Sequence, residues 1–161
     1  MRAALLYLHV ASAVTLIGEL LFASLWLRSA LARGGGSAIT RYTLATMAWT
    51  SKSVALPSLL VNLVTGLGLL HVEHVRLSEA RWIVVSLILY VLLMGIWHGM
   101  LTPMRRKMQK LVEAAPSAGY PTEEREASSE FHSMASRWVS ASVGAAALLF
   151  LILFLMVAKP F

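Results

Sequence analysis

His9, Glu19, Asn62 and His98 interrupt stretches that are otherwise apolar, with Lys52, His71 and His74 nearer their ends. A bilayer penalises polar and ionisable groups, so such residues turn to the inside of a helix bundle and mark a candidate site. Neutral imidazole ligates haem iron, copper or zinc. The chain has no cysteine, which excludes disulfides, thiolate metal sites and iron–sulfur clusters. His9 therefore stands as a cofactor ligand, or as a buried histidine bonded to a backbone carbonyl or hydroxyl. His71 and His74, three residues apart, share one helix face and read as metal ligands or as a wet helix end. His9, His71 and His74 are the metal candidates, and His9, His71 and His98 the cofactor candidates. The eight methionines are scattered and form no spaced copper-binding repeat.

Ser12, Thr15 and Glu19 fall within roughly 120° of His9 at about 100° per residue, so one face of the first helix is small or polar. Glu19 and Lys52 are expected at similar depth on antiparallel helices, each about 10 Å inside the membrane edge. Pairing them would relieve two costly charges at once. Such a pair could serve a proton or electron-coupled relay, or only packing. Alternatively, Lys52 reaches to the interface along its apolar stem.

The elements that position these residues follow from hydropathy. Residues 4–27, 47–70, 82–101 and 139–157 are each close to the roughly 20 helical residues that cross a hydrocarbon core of about 30 Å. Helices are expected over about 4–27, 44–71, 82–103 and 136–158. They form an all-α membrane fold, a single antiparallel four-transmembrane-helix bundle over 1–161. Pro57 should disturb the second helix, because proline lacks a donor and its ring meets an earlier carbonyl. Thr65-Gly66-Leu67-Gly68 suits close helix contact. Residues 33–37 form a glycine connector, 72–81 a short polar link, and 114–120 an irregular stretch. Pro121-Thr122-Glu123-Glu124 opens a helix that continues into the last span.

Laid against a rise of about 1.5 Å per residue, His9 lies about 8 Å from one membrane edge and His98 about 24 Å from it. Roughly 16 Å apart along the normal, they cannot ligate one iron. Depth makes His71 the expected partner of His9.

With 58% hydrophobic and 14% charged residues in 161, one bundle is the natural domain count. The net charge of +6 does not signal nucleic acid, because the basic residues flank apolar runs. The expected partners are the bilayer, with a second copy or a larger membrane complex beyond it. The N-terminal apolar run exceeds the 7–15 residues of a signal-peptide core and is read as uncleaved. Arg28, Arg33, Arg41, Arg105, Arg106, Lys107, Lys110, Arg125 and Arg137 fall on one side, against Arg2, Arg76, Arg81 and Lys159 on the other. The positive-inside rule then puts both termini outside a bacterial inner membrane. The Arg105–Lys110 cluster reads as a topology anchor.

Leu8-His9-Val10-Ala11-Ser12-Ala13-Val14 with Gly18 resembles the first helix of HemJ-type protoporphyrinogen oxidases and of copper-resistance D-type membrane proteins. Trp97-His98-Gly99 and the ending Met156-Val157-Ala158-Lys159-Pro160-Phe161 are also similar to HemJ. Leu56-Pro57, Thr65-Gly66, Pro103-Met104-Arg105-Arg106 and Ser136-Arg137-Trp138 resemble, over nearly the whole chain, an uncharacterised family of predicted integral membrane proteins. The HemJ resemblance implies four spans, a b-type haem and His9 as the haem-associated residue. The chain departs from HemJ at Leu21-Phe22-Ala23-Ser24, where HemJ has a Pro-Arg pair, and at Val84-Val85-Ser86, where it has a lysine. Its Asn-Glu-x-Pro-Thr element has no counterpart near 136–142. Oxidase activity is therefore left open. The expected function is a b-haem membrane redox protein. The alternatives are a noncatalytic membrane subunit or assembly factor, and a copper- or other metal-handling protein.

Overall fold

A computed structural model of the protein describes residues 1–32, 37–75, 80–114 and 121–159; at 37, 114 and 121–128 it describes the backbone alone. Most of the expected glycine connector, part of the polar link (76–79) and nearly all of the irregular stretch (115–120) lie outside the described residues.

Among the described residues six α-helices follow in order: α1 (Arg2–Ala32), α2 (Ser37–Thr50), α3 (Leu56–Val72), α4 (Arg81–Ile96), α5 (Thr102–Ala114) and α6 (Pro121–Ala158). A π turn over Ser51–Ala55 joins α2 to α3, and another over Trp97–Leu101 joins α4 to α5. The result is a bundle of four long rods, with no strand among the described residues. Arg2–Ala32, Ala38–Val72, Arg81–Glu113 and Ser129–Ala158 are each long and apolar enough to cross a membrane. The helices run further than hydropathy alone marked, because a helix does not stop where the hydrocarbon does.

Both π turns have the same cause in the sequence. Pro57 and Pro103 each stand two residues beyond one. A proline ring collides with the carbonyl four residues earlier and offers that carbonyl no donor. Those carbonyls belong to Ser53 and Gly99, both within the π turns. Widening the preceding turn relieves the conflict without breaking the rod. The disturbance expected at Pro57 thus takes the form of a π turn, and Pro103 repeats it.

The core runs along the bundle axis through Leu16, Leu20, Leu27, Leu44, Leu59, Leu93, Met108 and Leu149. The closest packing joins α1 to α3 and to α6, and α4 to α6. Ala145 and Ala146 let α6 approach its neighbours. Phe22, Leu25, Val64, Ile88, Val91, Phe154 and Val157 are exposed on the outside. Spans that are apolar all round suit a lipid solvent.

Candidate functional site

The residues that could do chemistry separate into two places along the bundle. At the end carrying the termini, α1 and α3 are stitched together by a polar cluster. His9 Nδ1 lies 2.9 Å from the Asn62 carbonyl and 3.2 Å from Thr65 Oγ1. A carbonyl only accepts, so Nδ1 carries the proton and Nε2 carries the lone pair. Asn62 Nδ2 donates to the His9 carbonyl at 2.9 Å and to Ser12 Oγ at 3.2 Å. Ser12 Oγ donates to the same His9 carbonyl at 2.9 Å, and Thr65 Oγ1 to the Val61 carbonyl at 2.6 Å. Gly66 gives the imidazole its place. A Cβ there would stand 3.0 Å from His9 Cε1, tighter than an ordinary contact, and 3.4 Å from Nδ1.

His9 Nε2 has no hydrogen-bond partner among the described residues. His9 lines a cavity of about 270 Å³ between α1, α3, α4 and α6. Its walls are chiefly aliphatic, with Leu63, Leu67, Leu87, Leu149, Ile152 and Met156. Asn62, Ser86 and Tyr90 supply polar points. Tyr90 spends its hydroxyl hydrogen on the buried Leu59 carbonyl at 2.8 Å. The mouth is charged. Arg2 Nε donates to Glu73 Oε1 at 2.7 Å, and Lys159 Nζ stands 5.4 Å from the centre of the Trp82 ring. The Arg2 hydrogen bond holds the exposed Glu73 carboxyl below the usual carboxylate range, with Arg2 and Lys159 adding attraction.

The other histidines do not join His9. His71 is exposed, five residues beyond Gly66 on α3. At about 100° per residue that turns it roughly 140° from Gly66, the residue that meets the His9 ring. Among the described residues its ring meets that of His74, centres 6.5 Å apart, and His74 lies two residues past the end of α3 at φ 51°. His98 is exposed on the second π turn and His132 on α6. No group of three or more His, Asp or Glu residues among those described could hold a metal. The set His9, His71, His74 is therefore not assembled.

Toward the opposite end, Glu19 does not meet Lys52. Lys52 is exposed on the first π turn, while Glu19 Oε1 accepts from the Thr50 hydroxyl at 3.3 Å. The basic group that attracts Glu19 is Arg105, partly buried on α5. The π turn and helix geometry sends Lys52 outward one residue beyond the inward Ser51. Arg105 turns in, donating from Nη1 to the Met47 carbonyl at 3.0 Å, while Arg106, Lys107 and Lys110 stay exposed. Lys107 pairs with Glu130 across to α6 at 2.7 Å.

The chain matches, over residues 3–160, the family described as predicted integral membrane protein (DUF2269). The chain belongs to that family. It is a multi-pass integral membrane protein. No curated protein and no solved structure matches it.

Sequence reasoning missed Arg105, Thr50, Ser86, Tyr90 and Met156 as site residues. Arg105 was hidden by its place in a basic run. Ser86 and Tyr90, four apart on α4, do show a polar face in an otherwise apolar helix.

Proposed function

We propose that this protein binds b-type haem in the cavity at its terminal end and works as a membrane redox protein. The observation that carries the proposal is the state of His9: Nδ1 is fixed by a backbone carbonyl, Nε2 has no partner among the described residues, and the side chain lines an apolar cavity. Metal-ligating histidines characteristically donate their other ring N–H to such an acceptor, which fixes tautomer and orientation.

The residues present fit such a group. His9 offers the imidazole, the aliphatic walls exclude water, and Arg2 and Lys159 at the mouth suit carboxylate side chains. At about 270 Å³ the cavity is slightly under the roughly 300–1,000 Å³ of enclosed small-ligand sites. When bound, haem supplies one-electron chemistry whose potential is set by axial ligand and burial. The chain's own part is to hold Nε2 in place and exclude solvent. The further proposal is a bacterial inner-membrane location with both termini outside, on the strength of nine basic residues against four.

The test is the absorption spectrum of detergent-purified protein, oxidised and reduced. A Soret band with resolved reduced bands supports haem; a featureless visible spectrum after expression with ample haem overturns it. A second reading is favoured by the polar cluster itself. His9, Ser12, Asn62 and Thr65 join α1 to α3 well enough to serve helix packing alone, as in a noncatalytic subunit. The featureless spectrum is the outcome it expects.

A further inference from the structure

A second chamber, of about 20 Å³, lies between α1, α2, the two π turns, α5 and α6. It is independent of the haem proposal. Glu19, Ser51, Thr102 and Arg105 give it polar walls, and Ala23 and Trp97 are among its apolar ones. Arg105 Nε is buried without a hydrogen-bond partner among the described residues, while Nη1 is committed to the Met47 carbonyl. Glu19 has one neutral donor, the Thr50 hydroxyl, and no direct ion-pair contact with Arg105 among the described residues. An acid and a base thus face one space, attracting each other without touching.

We propose that this chamber is a built site for one water molecule, which accepts from Arg105 Nε–H and donates to Glu19. The ligand is neutral because the two charges cancel: an anion would meet the Glu19 carboxyl, a cation the Arg105 guanidinium. It is single because a water needs roughly 10–15 Å³ of such space and a second would not fit in the rest. The site also offers the two to four polar partners that a buried water requires. The bridge closes a charge pair between α1 and α5, where both prolines have widened the adjoining helices. Without it, Arg105 would keep a buried N–H unsatisfied, which proteins rarely tolerate.

The test is the melting temperature of the full-length protein in detergent with Ala23→Val. Ala23 is 5% exposed on the chamber wall, so a larger side chain there displaces the water. The substitution should lower the melting temperature by roughly 2–6 °C, since it strands Arg105 Nε. In a Glu19→Gln, Arg105→Met background it should have little effect or stabilise. Ala23→Val that stabilises the native protein would mean a dry void, and an equal loss in both backgrounds would mean overpacking; either overturns the proposal. Should the double background not fold, an experimental density map decides. A density peak about 2.7–3.2 Å from both Arg105 Nε and a Glu19 oxygen is expected. Direct contact between the two side chains, with nothing between them, overturns the site.

Discussion

At the scale of single residues, the fit of Gly66 against His9 is the most sensitive point. Gly66→Ala presses a methyl against the imidazole, 3.0 Å from Cε1. It should weaken haem binding about tenfold, the lower end of what losing a ligand's supporting contacts costs. Haem titration followed in the Soret region checks this. Asn62→Leu removes donors to the His9 carbonyl and Ser12. It should lower stability by about 1–2 kcal/mol, measured by thermal unfolding. At the mouth, Glu73 has its carboxyl held down by Arg2, so that latch contributes above the ordinary carboxylate range and is lost as pH falls through the depressed value. Being exposed, it is worth under about 1 kcal/mol. A melting temperature that Glu73→Gln leaves nearly unchanged at pH 7 checks this. His9 was legible in the sequence because imidazole in an apolar helix has few uses. The basic group that Glu19 faces was not: basic residues crowd the end of the third span, and only packing selects Arg105 over Lys52.

At the scale of elements, the four spans were legible and their joints were not. Length and apolarity mark a span, whereas a π turn shows only through its proline. Two prolines with the same offset from two π turns suggest that the widened turns absorb one extra residue each. Deleting Lys52, exposed in the first π turn, should therefore let the turn close to α geometry with little loss of stability. Deleting Val61 from regular α3 should be severe. It rotates Asn62, Thr65 and Gly66 by about 100° relative to the preceding segment and tears the cluster around His9. Melting temperatures of the two deletions, measured side by side, separate these outcomes.

At the scale of the whole molecule, the two cavities and the basic residues divide along the bundle axis. The terminal end holds the His9 cavity and few basic residues, while the other end holds the Glu19–Arg105 chamber and the basic cluster. Aromatic rings sit toward both ends. Phe22, Trp26 and Tyr42 form edge contacts at 5.2 and 6.2 Å, and Trp82 stacks under Lys159. That distribution suits an interfacial belt on either side of a bilayer. A reporter enzyme fused after Phe161 should be active in the periplasm and silent in the cytoplasm. The reverse would invert the bundle and leave its internal packing as described. Fold class was legible because bilayer solvation imposes it on the composition. The cavity was not, because its aliphatic walls come from four separate helices and look like any other lipid-compatible side chains.

The claim that His9 Nε2 is the ligating atom has one direct measurement. His9→Gly removes the imidazole and leaves space beside Gly66 for a free one. Absorption spectra of this variant, purified with haem and titrated with imidazole, should show a weakened, shifted Soret band that returns to the native form as imidazole fills the place of His9. His71→Ala and His98→Ala should keep the native spectrum throughout. A His9→Gly variant with the native haem content and spectrum before any imidazole is added would contradict the assignment.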